Sequence, residues 1–192
     1  MASSQNHHGE AQPSGWVRRF SSLPPDGSIL DVACGTGRHA RLFLDLGRHV
    51  VGIDRYNAGV IDLLGRPDFE LIEADLESGE DWLAEDQKFS AVIVTNYLYR
   101  PLMPTLIDAV APNGCLIYET FARGNERHGR PSNPEYLLSP GELLSEVEGR
   151  LSVIAYEHGF INTPCPAVMQ RICAIRSDVP DYLASRGLNG AE

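Results

Sequence analysis

Short apolar runs alternate with stretches of helical spacing along most of this chain, and that alternation constrains the fold more than any single residue does. The runs cover 28–32, 49–53, 69–73, 89–95 and 114–121. Between them, helical spacing predicts helices over 38–46, 58–64, 82–85 and 101–110. Runs such as "AVIVT" and "HVVGI" are apolar at nearly every position, which suits strands buried on both faces. Parallel strands covered by helices on both sides meet that requirement, so a doubly wound α/β sandwich follows.

The rhythm changes near the end. In "SPGELLSEVEG", Ser139 stands as an N-cap with proline at the first helical position and Glu142 three residues after the cap, which predicts a helix start. Two strand-like runs follow, 151–158 and 168–176, with only the loop "GFINTPCPA" between them. A parallel pair needs a crossover of about a dozen residues or more, so these two strands are expected to pair antiparallel. Residues 1–14 read as a polar lead-in, 15–178 as one domain and 179–192 as a tail.

Lys and Arg number 16 against 26 acids, for a formal net charge of -10. A nucleic-acid backbone is held chiefly by neutralising it, so this balance argues against nucleic acid as the main partner and favours small molecules. The four cysteines, Cys34, Cys115, Cys165 and Cys173, form no CxxC pair. His39 and His49 have no second ligand at a suitable spacing, so no metal site is expected. No apolar run approaches the ~20 residues of a membrane span, and the first residues carry no apolar signal core, so a cytoplasmic protein is expected.

The stretch "ILDVACGTGRHA" joins the first strand to the first long helix. Gly35 and Gly37 permit a tight turn and a close approach of a ligand to the backbone, although a glycine loop can also serve turning alone. Two acids sharpen the reading. Asp31 ends strand one and Asp54 ends the next strand in "VVGIDRY". The carboxyl ends of strands line the ligand crevice of an open α/β sheet, and an acid ending strand two is placed to accept ribose hydroxyls. A carboxylate opening the loop opposes a pyrophosphate and suits a cofactor carrying an ammonium and a sulfonium, which S-adenosylmethionine does. Ala40 replaces the third glycine of a dinucleotide fingerprint, and no G-K-[ST] is present for a P-loop.

In this order, "DVACGTGRHA", "VVGIDRY", "EADLE" and "FSAVIVTNYLYRPL" resemble the first four motifs of class I S-adenosylmethionine-dependent methyltransferases. The resemblance spans about residues 15–176, and "NYLYRPL" with "RPSNPEYLLSPGELL" is more loosely similar to the tellurite-resistance and thiopurine groups. It implies a Rossmann-like seven-stranded sheet of order 3-2-1-4-5-7-6 with strand seven antiparallel. It further implies that Asp31, Cys34, Gly35 and Gly37 surround the methionine part, Asp54 the ribose, and Asp75 with Leu76 the adenine, with Asn96 completing the cofactor site. S-adenosylhomocysteine would be the product. Ala33 stands in place of the usual first glycine, and Ser90 in place of an aspartate common before strand four.

Methyl transfer from a sulfonium is an in-line displacement, for which the protein must align the reactants and exclude water, with a base only where the nucleophile carries a proton. Tyr97 and Glu119, at the ends of strands four and five, are the candidate catalytic residues, and Glu119 is a candidate base because an unpaired carboxylate on an apolar strand is costly. The connection over 122–138 is long enough for a lid. Its Arg123, Arg127, His128 and Arg130 suit an anionic acceptor, though a solvated loop would read the same way. A methyltransferase acting on RNA or protein, a nucleotide-dependent oxidoreductase and a non-catalytic cofactor binder remain as alternatives.

Overall fold

The structure is a computed structural model that describes residues 12–79, 82–84 and 86–177. Most of the expected lead-in and all of the expected tail at 179–192 lie outside the described residues. Seven strands, β1 (Ile29–Val32), β2 (Val50–Asp54), β3 (Phe69–Glu73), β4 (Phe89–Thr95), β5 (Val110–Phe121), β6 (Ser152–Ile161) and β7 (Ala167–Ile175), form one sheet. Its order is β3-β2-β1-β4-β5-β7-β6. The first five strands pair in parallel, whereas β7 runs antiparallel to both β5 and β6. The hairpin inferred from the missing helix is present, with strands reaching further into the loop than the sequence pattern predicts, to Ile161 and back from Ala167.

Each face of the sheet carries its own apolar core. One is built with α1 (Gly15–Phe20) and α2 (Arg38–Asp45), the other with α3 (Met103–Asp108) and α4 (Glu142–Val147). The α1 helix forms because the Ser14 hydroxyl accepts from the Trp16 and Val17 amides, and it buries Trp16, Val17 and Phe20. The indole of Trp16 then donates to the Ile172 carbonyl on β7 at 3.2 Å, fastening the helix across the sheet. The α2 helix turns His39, Ala40, Phe43 and Leu44 inward.

Three expected helices differ. Over 58–64 only a 3-10 turn forms, Ile61–Leu63, because Gly59 packs against the glycine loop: a Cβ there would stand 2.2 Å from the Gly35 carbonyl oxygen. Trp82–Ala84 are not helical, and Glu85 lies outside the described residues. The α4 helix starts at Glu142 rather than at Pro140, behind a left-handed Gly141. Half of the expected capping box survives, since Glu142 Oε2 accepts from the Ser139 amide at 2.7 Å. Ser90 fills its position structurally: its hydroxyl donates to Ser28 O and accepts from Arg48, each at 3.0 Å.

Candidate functional site

The carboxyl ends of β1 to β5 meet on one edge of the sheet, and the loop after β1 is its most constrained part. Ala33, Gly35 and Gly37 all adopt left-handed φ, at 50°, 57° and 70°. For alanine this is a strained conformation, on the order of 1 kcal/mol less favourable than for glycine. The Cys34 amide donates to Ile53 O at 3.0 Å and the Gly37 amide to Cys34 O at 2.9 Å. Asp54 locks the loop to β2, its Oδ2 accepting from the Gly35 amide at 2.8 Å and its Oδ1 from the Tyr56 amide at 3.1 Å.

The two glycines serve different ends. A Cβ on Gly35 would come no closer than 3.9 Å to its neighbours, so the backbone there stands open to a ligand. A Cβ on Gly37 would lie 2.6 Å from Val60, so its absence makes room for packing. Cys34 is buried, its sulfur against Gly52, and burial pushes its thiol far above the ordinary range.

Asp31 sits differently from the sequence expectation. It is buried, and its Oδ2 accepts from the Ala40 amide in the first turn of α2 at 3.0 Å rather than facing an open cleft. Burial raises its pKa to about 7, against the lowering effect of the Ala40 bond and of Arg38. His39 lies 4.0 Å away, equally buried and held down to about 3 by burial and by Arg38. His39 Nε2 accepts from the Ser14 amide at 3.2 Å, and Nδ1 stands 3.4 Å from the Thr95 hydroxyl. This polar row joins α1, α2, β1 and β4 beneath the loop.

Two adjoining clefts open on the edge. The first, about 210 Å³, is lined by Ala33, Asp54, Arg55, Asp75, Leu76 and Tyr97, with Ala74 and Glu77. Three predicted cofactor residues, Asp54, Asp75 and Leu76, thus come together. Asp75 pairs with Arg55 and accepts from the Glu77 amide. The second cleft, about 220 Å³, is lined by Asn96, Tyr97, Thr120, Phe121, Pro131 and Tyr136, with Glu77 and Leu98. Tyr97 and Glu77 wall both clefts. The Tyr97 carbonyl accepts from the Tyr118 hydroxyl at 2.8 Å, which fixes this turn, and Asn96 takes a left-handed φ of 55°. The Tyr97 hydroxyl is buried with no hydrogen-bond partner among the described residues. Burial, then the nearby charges of Glu77 and Asp75 and the close Glu77 carboxylate, whose contact is not aligned as a hydrogen bond, push its pKa upward.

Glu119 lines neither cleft. It is buried on the α1 and α2 side of β5 and ion-paired with Arg171 of β7 at 3.1 Å, a contact not aligned as a hydrogen bond. Arg171 also meets Glu157 on β6 at 3.4 Å, so the carboxylate belongs to a cross-strand chain of charges. Of the 122–138 segment, Pro131 and Tyr136 reach the second cleft. Arg123 lines a separate open groove beside Glu135, Glu142 and Glu146. The segment is fastened at its ends by an Ala122–Leu138 bridge and by Asn125, which accepts from the Val168 amide and donates to Pro131 O. Arg100 is engaged in holding α4, donating to both oxygens of Glu142. Arg55, Glu77, Pro131 and Tyr136 lie inside the quoted motifs but were given no site role from the sequence, and Ala33 was noted only for replacing a glycine, because nothing in their spacing says that they wall a cleft.

A doubly wound sheet with an antiparallel last strand and paired clefts on its carboxyl edge defines an open α/β architecture whose ligand sites lie on that edge. The chain belongs to the methyltransferase domain family, which it matches over residues 6–173. Among solved structures it is similar to a glycopeptide N-methyltransferase, MtfA, complexed with S-adenosylhomocysteine, at 18% identity and TM-score 0.60 over 86% of this chain and 90% of that one. It is similar to TehB from Haemophilus influenzae at 14% identity and TM-score 0.68, over 85% of this chain and 62% of that one. The 1,6-didemethyltoxoflavin-N1-methyltransferase of Burkholderia thailandensis, with its substrate and S-adenosylhomocysteine bound, follows at 13% identity and TM-score 0.64, over 85% of this chain and 76% of that one. No curated protein matches the chain by sequence.

Proposed function

We propose that the protein transfers the methyl group of S-adenosylmethionine to a small-molecule acceptor by in-line displacement, releasing S-adenosylhomocysteine. The observation that carries this reading is the pair of clefts sharing a wall at Tyr97 and Glu77, one beside Asp54 and Asp75, the other among aromatic side chains. The first cleft fits the cofactor by its chemistry. Asp54, Asp75 and Glu77 make its lining acidic, and Arg55, the one cation lining it among the described residues, is engaged by Asp75, so it suits a cationic, hydroxyl-bearing group and opposes a pyrophosphate. That distinction weighs against a nucleotide-dependent oxidoreductase. The net charge of -10 weighs against an RNA acceptor.

When bound, S-adenosylmethionine supplies a methyl group already activated by the positive sulfur. The protein's part is to hold and shield. Asp54 would accept the ribose hydroxyls, and Asp75 with Leu76 would meet the adenine. The backbone at Gly35, with Cys34 and Gly37 shaping the loop, would carry the methionine portion, and Asn96 would close the site beside it. Asp31 acts through α2, setting the loop from beneath. Tyr97, fixed by Tyr118, would orient the acceptor against the methyl group, and Glu119 is here a positioning residue for β5. We place the protein in the cytoplasm, a reading supported by the free thiols of Cys34, Cys165 and Cys173, Cys165 exposed among them. We also take 15–178 as a single methyltransferase domain. Incubating the protein with S-adenosylmethionine and a panel of amines, thiols, phenols and oxyanions, and measuring S-adenosylhomocysteine by mass spectrometry, tests the activity. Product formation dependent on one acceptor class is the expected result, and none with any class counts against it.

A further inference from the structure

The second cleft carries a charge pattern that restricts what enters it. Among the described residues, Glu77 is the one charged side chain that lines it, and no described Lys, Arg or His does. The basic residues of the 122–138 segment that suggested an anionic acceptor do not line it, and Arg123 faces the separate groove instead. An anion in the cleft would meet a carboxylate with no counter-charge, at a cost of roughly 1 to 4 kcal/mol for charges about 4 Å apart, between bulk water and a protein surface. Tyr97, Phe121 and Tyr136 supply aromatic walls, which attract cations and stack on planar rings. The Tyr97 hydroxyl is buried beside the Glu77 carboxylate but not aligned with it as a hydrogen bond, so a bound ligand can supply the well-aligned partner it lacks.

Resting on the methyltransferase reading above, we propose that this cleft takes a nitrogen acceptor, an amine or heterocyclic N–H bearing no net negative charge, bound by the Tyr97 hydroxyl and deprotonated by Glu77. An amine that enters as an ammonium first gives a proton to Glu77, which passes it to water. The freed lone pair, or that of a neutral ring nitrogen, then forms the new N–C bond as the C–S bond breaks and its electrons pass to sulfur. The positive charge moves to nitrogen, and the N–H proton passes to the Glu77 carboxylate. Glu77 is exposed, so it hands that proton on to water. The volume, about 220 Å³, equals some seven waters at ~30 Å³ each, which suits a single ring or a short amine.

Ligand-observed NMR on the S-adenosylhomocysteine complex at neutral pH tests the assignment with benzimidazole, tyramine and 4-hydroxybenzoate as probes. Benzimidazole and tyramine should bind at least about tenfold tighter than 4-hydroxybenzoate, and Glu77→Gln should shrink that ratio to within about twofold. Tyr97→Phe should weaken both nitrogen probes several-fold while leaving the melting temperature unchanged or higher, which a merely packing tyrosine would not do. Tighter binding of 4-hydroxybenzoate, no nitrogen-probe binding below ~10 mM, or an unchanged ratio in Glu77→Gln overturns the proposal. Failure of S-adenosylhomocysteine itself to bind the wild-type protein would instead overturn the cofactor assignment on which it rests.

Discussion

Asp54 holds two backbone amides at the mouth of the first cleft and also lines that cleft, so the proposed cofactor site ties loop shape to ligand binding through it. Asp54→Asn keeps one acceptor oxygen and removes the charge. S-adenosylhomocysteine affinity measured by calorimetry should fall about 10- to 100-fold, in line with ~1.5–3 kcal/mol for charge-assisted hydrogen bonds. Tyr97→Phe should leave stability level or raise it by up to about 1 kcal/mol, because a buried hydroxyl with no aligned hydrogen bond is removed, while turnover drops at least tenfold. Chemical denaturation and steady-state assays on the same preparation check both halves. Asp54, Asp75 and Leu76 were legible in the sequence because an acid at a strand's carboxyl end has few places to go in an open sheet. For Asp31, strand position says that a carboxylate is near the loop but not where it points, since the Ala40 amide that captures it comes from tertiary packing.

The glycine loop and the first turn of α2 behave as one element. Gly37→Ala combines a left-handed φ with a clash against Val60, and should cost at least about 2 kcal/mol. Gly37→Ala with Val60→Ala should recover part of that loss in a double-mutant cycle read by denaturation, since only the steric share is shared between the two sites. The buried pair beneath the loop gives opposed pH dependences. Asp31 has a folded pKa raised from 3.8 to about 7, so the folded state holds the extra proton, and this group's contribution grows as pH falls from about 7 to about 4. His39 has a folded pKa lowered from 6.5 to about 3, so the unfolded state holds the extra proton, and its contribution shrinks as pH falls through the same range. Each is worth a few kcal/mol at ~1.4 kcal/mol per unit, and in the wild type they nearly cancel. Melting temperatures across pH 4 to 7 should therefore rise on acidification in His39→Gln and fall steeply in Asp31→Asn, on the reasoning that each variant unmasks the other group. The terminal hairpin was legible from what is missing between its strands, whereas the short 3-10 turn over Ile61–Leu63 was not, because Gly59's contact with Gly35 is long-range.

At the scale of the whole molecule, alternating apolar runs were enough to give the doubly wound sheet, since strands apolar at every position must be covered on both faces. The same patterning says nothing of which face Glu119 takes, and it is the cross-strand pairing with Arg171 and Glu157 that settles it. The fold gathers one acidic cleft and one lined by aromatic side chains onto a single edge, and the proposed cofactor site depends on the first. Titration calorimetry of the purified protein with S-adenosylhomocysteine and, separately, with NAD tests that claim most directly. The account predicts one-to-one binding of S-adenosylhomocysteine at micromolar or tighter Kd, about -8 kcal/mol or below, with no NAD binding in the same range. Binding of NAD without S-adenosylhomocysteine would contradict it.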